Sequence, residues 1–160
     1  MEVQLKETER IDDLQLKGLK LIQDTNGFCF GIDSVLISDF AKDMRKGSTV
    51  LDLGTGTGII SILLSKKQDN LKIFGIEIQE EVADLAKRNV KLNGLEDKME
   101  VLNINVKDVF SVLEKNKIDV VVTNPPYKKH DTGVKNIDKR QLISRHEVEC
   151  TLEDIVRNSS

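Results

Sequence analysis

The sequence of 160 residues lacks several features that mark specialised classes of protein. No apolar run approaches the roughly 18 residues of a membrane-spanning helix, and Met1 leads into a polar segment instead of a signal peptide. The two cysteines, Cys29 and Cys150, lie far apart and fit neither a CxxC motif nor a Cys/His metal spacing. This usage predicts a cytoplasmic protein with no membrane segment, no disulfide and no bound metal.

A strong excess of charge is also absent. The net charge is −3 and the isoelectric point is about 5.5, so the chain as a whole has no nucleic-acid signature. One segment departs from this balance, because residues 128–146 include six Lys and Arg residues but only two acidic residues. Taken alone, this cluster predicts either contacts with phosphates or an ordinary solvated loop. Its basic members are Lys128, Lys129, Lys135, Lys139, Arg140 and Arg145.

The bulk composition is that of a soluble globular domain. Hydrophobic residues make up 39% and charged residues 32%, in a chain long enough to bury a sizeable core. From residue 47 onwards apolar strands alternate with helical patterns, which predicts an α/β fold with a parallel sheet. The predicted strands are 49–53, 71–78, 99–103 and 118–123, and the predicted helices are 59–66, 80–92 and 106–114.

Residues 1–46 are interpreted as an N-terminal extension. Apolar residues at 19–22 predict a short strand, and the pattern at 34–44 predicts a helix capped by Asp33 or Ser34. We expect three neighbouring residues to pack into the core, namely Phe28, Cys29 and Phe30.

A glycine loop follows the first strand of the alternating region. The segment 52–58, DLGTGTG, has glycines that permit a tight turn and close approach of a ligand to the backbone. Its G-x-G-x-G spacing differs from the G-x-G-x-x-G of dinucleotide folds, which bind a pyrophosphate. The acid at position 52 disfavours a diphosphate and favours a cationic ligand such as S-adenosylmethionine. We therefore predict a cofactor site at Asp52, Gly54, Gly56 and Gly58.

Polar residues also stand at the ends of the next two predicted strands. A carboxylate at Glu77 would accept hydrogen bonds from both hydroxyls of a ribose, as the acid does in dinucleotide folds. The amide of Asn105 would accept from the N6 amine of adenine or donate to a ring nitrogen. Taken alone, Glu77 also fits an exposed surface charge, and Asn105 also fits a helix N-cap. Their order on successive strand ends favours the cofactor site.

The fourth predicted strand ends in Asn124-Pro125-Pro126-Tyr127. The two prolines restrict the backbone, and ligands bind at this end of strands in open parallel sheets. The Asn124 side-chain oxygen and the Pro125 carbonyl would accept the two protons of a planar NH2 group and free its nitrogen lone pair, while Tyr127 stacks on the substrate. The plain alternative is a turn. We also expect Asn124 to contact the cofactor, and further substrate contacts at Pro126, Lys128, Lys129 and Arg140.

The combination of the glycine loop with the NPPY motif resembles the class I S-adenosylmethionine-dependent methyltransferases over residues 48–127. The resemblance implies a Rossmann-like fold, with a mostly parallel sheet of seven strands flanked by helices. Only four of those strands are visible in the sequence. We therefore expect residues 47–160 to hold the N-terminal part of the methyltransferase domain, truncated after the fourth strand, which becomes an exposed edge.

Further stretches are similar to the bacterial tRNA(Val) adenine N6-methyltransferases: ERIDDL at 9–14, FCFGIDSVL at 28–36, and SRHE at 144–147. This resemblance implies methylation of the exocyclic amine of an adenine beside the anticodon, with the base flipped into the pocket. One departure is Asn105, where many class I enzymes carry Asp.

Other functions stay open at this point. NPPY also resembles enzymes that methylate rRNA bases or a release-factor glutamine, although residues 1–26 are too short and polar for the helical domain that accompanies the glutamine enzymes. A cofactor-binding fragment without catalysis is a further alternative. The glycine spacing disfavours a NAD-binding protein. The two histidines, His130 and His146, are interpreted as ordinary loop residues.

Overall fold

A computed structural model describes residues 3–27 and 29–124 of the chain. The strands are β1 (Glu9–Asp13), β2 (Lys20–Asp24), β3 (Thr49–Leu53), β4 (Lys72–Ile76), β5 (Met99–Leu102) and β6 (Val120–Thr123). The α-helices are α1 (Ile32–Phe40), α2 (Ile59–Lys67), α3 (Glu80–Leu92) and α4 (Val109–Val112). Short 3-10 helices lie at Ala41–Asp43, Val106–Asp108 and Lys115–Lys117.

Four strands form a parallel sheet in the order β5-β4-β3-β6. All three pairings are parallel, and the register aligns Leu53 at the end of β3 with Ile76 in β4 and Thr123 in β6. These strands read as apolar runs because helices cover parallel sheets on their faces. The carboxyl ends of β3, β4 and β6 therefore lie side by side at one edge of the sheet.

The core lies on both faces of this sheet. Successive residues of a strand point to opposite faces, so Val50 belongs to one apolar cluster while Leu51 and Leu53 belong to the other. The larger cluster contains α2, whose residues from Ile59 to Ser65 are all buried, and the inner face of α3. The smaller cluster packs β3 and β4 against Val109 of α4.

An antiparallel hairpin, β1–β2, precedes the parallel sheet and packs on α3. Leu19 and Leu21 bring it into the larger apolar cluster. Arg88 of α3 binds Glu9 of β1 with two donated hydrogen bonds of 2.6 Å each. This ion pair holds the pKa of Glu9 below its ordinary value, chiefly through the hydrogen bond from Arg88. The predicted strand near 19–22 is confirmed as β2, whereas β1 is polar and was not predicted.

Three sequence-based expectations about local structure are wrong. The first helix begins at Ile32, so Asp33 and Ser34 lie in its first turn, and its N-cap is Gly31, which has no side chain to form a cap. The helix predicted at 106–114 is divided into a 3-10 turn and the four residues of α4. Cys29 is exposed instead of packed. Phe30 does pack against the larger cluster, and Phe28 lies outside the described residues.

Within the described part of the chain, β6 pairs with β3 alone and forms one edge of the sheet. No helix among these residues has the length and apolarity needed to cross a membrane.

Candidate functional site

The polar residues predicted for the site occupy one edge of the parallel sheet. Asp52 is the fourth residue of β3, Glu77 directly follows β4, and Asn124 directly follows β6. Because the register aligns the ends of these strands, the three side chains stand on neighbouring strands. The glycine loop leaves β3 between them and leads into α2.

The glycine loop has a backbone that requires glycine. Gly54, Gly56 and Gly58 have φ values of 68°, 57° and 84°, in the left-handed region that side chains other than glycine rarely adopt. The amide of Thr55 donates to the carbonyl of Ile76 at 2.9 Å, which ties the loop to β4. The predicted glycines therefore form one tight turn across the strand ends.

Asp52 is fully buried beneath this loop. Its Oδ2 accepts hydrogen bonds of 2.7 Å from the hydroxyls of Thr55 and Ser61. Its Oδ1 has no hydrogen-bond partner among the described residues. Burial raises the pKa of Asp52 to about 6, opposed by the hydrogen bonds from Ser61 and Thr55. The carboxyl thus supports the loop with one oxygen and keeps the other unused.

Two residues that the sequence analysis missed fix the loop against β4. A Cβ atom placed on Gly75 would lie 2.9 Å from Cγ2 of Thr55, closer than real side chains approach. Gly75 therefore lets Thr55 sit over the strand, where its hydroxyl reaches Asp52. The only sequence signal for this contact is the glycine inside an otherwise apolar strand.

Glu77 is 7% exposed and closes the loop from the side of β4. Its Oε2 accepts from the amide of Gly56 at 3.1 Å, and its Oε1 accepts from the amide of Gln79 at 3.0 Å. Burial raises the pKa of Glu77, and the hydrogen bonds from Gln79 and Gly56 partly oppose this effect. The backbone amide of Ile78 also lowers the pKa of Glu77 by a hydrogen bond, so the carboxylate is held by the backbone at the end of β4.

Asn105 and Asn103 follow β5 and have different surroundings. Asn105 is the N-cap of the 3-10 turn, and its Oδ1 accepts from the amide of Lys107 at 2.9 Å. Asn103 was not predicted, yet its Nδ2 donates to the carbonyls of Glu77 and Ile78 at 2.9 and 2.8 Å. Asn103 thus fixes the backbone that carries the Glu77 carboxylate.

Asn124, the first residue of the NPPY motif, is partly buried. Its Nδ2 donates to Oγ of Ser34 in α1 at 3.3 Å, while its Oδ1 is buried and has no partner within the described residues. A buried amide oxygen without a partner is costly unless a ligand or water supplies a donor. Among the described residues, Asn124 thus holds an unused acceptor at the end of β6.

Several predicted residues lie outside the described residues, so their positions stay predictions. They are the remaining NPPY residues and the basic segment, namely Pro125, Pro126, Tyr127, Lys128, Lys129 and Arg140, together with His130, His146 and Cys150. Within the described ranges, no group of three or more His, Cys, Asp or Glu residues is placed to hold a metal ion.

The methyltransferase small domain family matches residues 30–147, which include the glycine loop, Glu77 and Asn124. The chain belongs to this family. The match also includes α1, whose Ser34 contacts Asn124.

Two curated relatives are similar over most of the chain. A Porphyromonas gingivalis W83 protein is 29% identical over 135 residues, which are 81% of this chain and 52% of the relative. A Bacteroides thetaiotaomicron protein is also 29% identical, over 89% of this chain and 58% of the relative. Both are named tRNA1(Val) (adenine(37)-N6)-methyltransferase. The chain thus spans about half the length of these relatives.

A solved structure confirms the fold. The SAM-dependent methyltransferase from Agrobacterium tumefaciens superposes with a TM-score of 0.58 and 17% identity, covering 77% of this chain and 41% of that protein. The predicted Rossmann-like α/β architecture is therefore correct.

Proposed function

We propose that this chain belongs to an S-adenosylmethionine-dependent methyltransferase that methylates N6 of an adenine in tRNA, beside the valine anticodon. The observation that carries the proposal is the buried, unpartnered Oδ1 of Asn124 at the end of β6, next to the glycine loop that leaves β3. The small-domain family and the names of the two relatives support the same reaction.

The residues around the glycine loop fit S-adenosylmethionine. This ligand carries a cationic ammonium and sulfonium as well as a ribose, and the loop is flanked by two buried carboxyl groups, Asp52 and Glu77. The Oδ1 of Asp52 is an acceptor without a partner among the described residues, and a nearby cation would favour the charged form of this carboxyl. The carboxylate of Glu77 suits the ribose hydroxyls. When bound, the cofactor supplies the methyl group on a positively charged sulfur.

The other cofactor contacts are proposed from the same geometry. Gly54, Gly56 and Gly58 carry no side chain, and the space beside Gly54 and Gly56 is open, so a ligand can approach the backbone there. The Oδ1 of Asn105 caps the turn after β5, and its NH2 group is proposed to donate to a ring nitrogen of the adenine.

Asn124 is proposed as the acceptor for the reacting amine. The N6 lone pair of adenine is delocalised into the ring, which makes the nitrogen a poor nucleophile. Hydrogen bonds from its two protons to Asn124 Oδ1 and to the Pro125 carbonyl favour a pyramidal nitrogen with an available lone pair. Placement of the amine and these acceptors then carries the catalysis, and the proton leaves to water after the displacement.

The remaining substrate contacts belong to residues outside the described ranges. We propose that Tyr127 stacks on the flipped adenine, that Pro126 shapes the pocket, and that the basic residues Lys128, Lys129 and Arg140 contact RNA phosphates. In this proposal residues 1–46 are an extension of a catalytic domain that begins at residue 47, and the protein acts on tRNA in the cytoplasm.

Calorimetric titration of the 160-residue chain with S-adenosylhomocysteine, and separately with NAD, tests the cofactor assignment. We expect S-adenosylhomocysteine to bind and NAD not to bind. Binding of NAD alone would contradict the proposal. Binding of neither ligand would also contradict it for this chain, because the described residues already include both carboxyl groups and the complete glycine loop.

A further inference from the structure

The side chain of Asn89 joins the N-terminal hairpin to the glycine loop. Asn89 lies in α3 and is completely buried. Its Oδ1 accepts from the amide of Ile22 in β2 at 2.6 Å, and its Nδ2 donates to the Ile22 carbonyl at 3.0 Å. The same Nδ2 donates to the carbonyl of Thr57 at 3.0 Å. One amide therefore binds both backbone groups of a strand residue and one carbonyl of the loop.

The contact with Thr57 occurs at a critical point of the loop. Thr57 lies between two glycines in left-handed conformation and precedes Gly58, the N-cap of α2. The carbonyl of Gly58 accepts from Ile62, so the hydrogen-bond ladder of the helix begins after Thr57. Asn89 supplies the Thr57 carbonyl with a donor that the helix does not provide. Loss of this donor leaves a partly buried carbonyl without its protein partner and a glycine-rich turn free to rearrange.

We infer that Asn89 is a positioning residue for the cofactor loop, and that the N-terminal hairpin supports cofactor binding through it. The inference rests on the proposed function insofar as the loop binds the cofactor. Asn89 itself contacts no reacting group. It acts by keeping the Thr57 carbonyl in place, which holds the neighbouring amides of Gly56 and Gly58 in the turn.

Asn93, the C-cap of α3, provides a control one helical turn after Asn89. It accepts from the amide of Lys20 at 2.9 Å and donates to the Lys20 carbonyl at 2.7 Å, so it binds β2 just as Asn89 does. Its other hydrogen bond goes to the carbonyl of Asn89 at 2.8 Å. Among the described residues, these hydrogen bonds of Asn93 go to Lys20 and Asn89 and not to the glycine loop. A change at Asn93 therefore loosens the hairpin without removing the loop contact.

The test compares Asn89→Ala with Asn93→Ala in the 160-residue chain. Two quantities are measured: hydrogen exchange at the amides of Thr55, Gly56 and Gly58 without ligand, and the Kd for S-adenosylhomocysteine. We expect Asn89→Ala to speed exchange at these amides and to weaken binding, each by about tenfold or more, while Asn93→Ala changes both by less than about twofold. Similar effects of the two variants would overturn the inference, because the loop would then respond only to loss of hairpin stability.

The two readouts separate this inference from the proposed function. If the wild-type chain fails to bind S-adenosylhomocysteine, the proposed function fails, and exchange at the loop amides still decides the role of Asn89. If Asn89→Ala does not fold, NMR of the wild-type chain gives the decision. The Asn89 NH2 proton donated to Thr57 should exchange at least about a hundredfold slower than in an exposed asparagine, as should the proton donated to Ile22. Exchange of the proton donated to Thr57 at the exposed rate, with the other proton protected, overturns the inference.

Discussion

The side-chain Nδ2 of Asn124 lies 3.3 Å from Oγ of Ser34. This hydrogen bond joins the end of β6 to the first turn of α1, across 90 residues of sequence. Ser34 is 4% exposed, so its hydroxyl is directed into the protein and not toward solvent. With the NH2 group held by Ser34, the amide oxygen of Asn124 is left without a partner among the described residues. In the proposed function, Ser34 therefore determines which end of the amide meets the substrate.

Replacement of Ser34 by alanine should impair methyl transfer while sparing the cofactor. Without the hydroxyl the Asn124 amide can rotate, so we expect kcat to fall about tenfold, equivalent to about 1.4 kcal/mol of activation free energy. The Kd for S-adenosylhomocysteine should stay within about twofold of the wild-type value. Steady-state kinetics with tRNA and calorimetry measure the two effects.

Ser38→Ala is the matched control for this variant. Ser38 lies in the same helix and is also buried, but its hydroxyl donates to the Val35 carbonyl and accepts from Lys67. Its replacement removes a buried hydroxyl from α1 without touching Asn124. An equal loss of kcat in the Ser34 and Ser38 variants would show that the effect is general destabilisation of the helix.

Asn124→Ala should abolish methyl transfer and leave cofactor affinity largely intact. The variant removes the acceptor proposed for the substrate amine, and we expect kcat to fall by about a hundredfold or more. Single-turnover transfer from labelled S-adenosylmethionine to tRNA measures this loss, and calorimetry checks the cofactor. Turnover close to the wild-type rate would refute the role given to Asn124.

The stability of the chain should depend on pH through Asp52. Its pKa is about 6 in the folded chain and near its ordinary value of 3.8 when unfolded. The stabilising contribution of this raised pKa is therefore complete below about pH 4 and is lost as pH rises through about 6. Asp52→Asn carries an amide that does not titrate. As pH rises from about 4 to about 6, the unfolding free energy of the wild-type chain should therefore fall relative to that of this variant.

Urea unfolding of both chains across this pH range measures the difference. Glu77 also has a raised pKa and is present in both chains, so its direct contribution is common to both. A difference that stays constant with pH would contradict the assignment of the raised pKa to Asp52.

Glu77→Gln should weaken cofactor binding. The amide keeps the size of the side chain but loses one of the two acceptors proposed for the ribose hydroxyls, and we expect the Kd for S-adenosylhomocysteine to rise about tenfold or more. Glu100→Gln on the neighbouring β5 is an exposed, charge-matched control that should leave the Kd unchanged. Calorimetry on both variants measures these Kd values. A Glu77→Gln variant that binds S-adenosylhomocysteine as tightly as the wild-type chain would show that Glu77 is not part of the site.

The parts of the fold that depend on apolar patterning were predictable from the sequence. The bounds of β3 and α3 agree with the prediction residue for residue, because β3 is a short buried run between polar turns and α3 has an apolar face of helical period. Strand β1 was missed because Glu9–Asp13 is polar and is held by pairing with β2 and by Arg88. Such long-range polar contacts leave no periodic signal in a single sequence.

The candidate site was likewise predictable only in part. The glycine spacing identified the loop, and the order of acids at strand ends identified Asp52 and Glu77 as candidates. The supporting contacts were not predictable, since the donors to Thr57 and to the Glu77 carbonyl are asparagines distant in sequence, Asn89 and Asn103. From the sequence alone these asparagines are indistinguishable from surface residues, because only the fold brings them next to Thr57 and Glu77.

Nucleoside mass spectrometry of RNA methylated in vitro tests the central claim most directly. The protein is incubated with isotopically labelled S-adenosylmethionine and, in separate reactions, with tRNA and rRNA, and the RNA is digested to nucleosides. The proposed function predicts label in N6-methyladenosine from tRNA, with loss of that signal in Asn124→Ala. Label confined to another nucleoside, or label in rRNA alone, would contradict it.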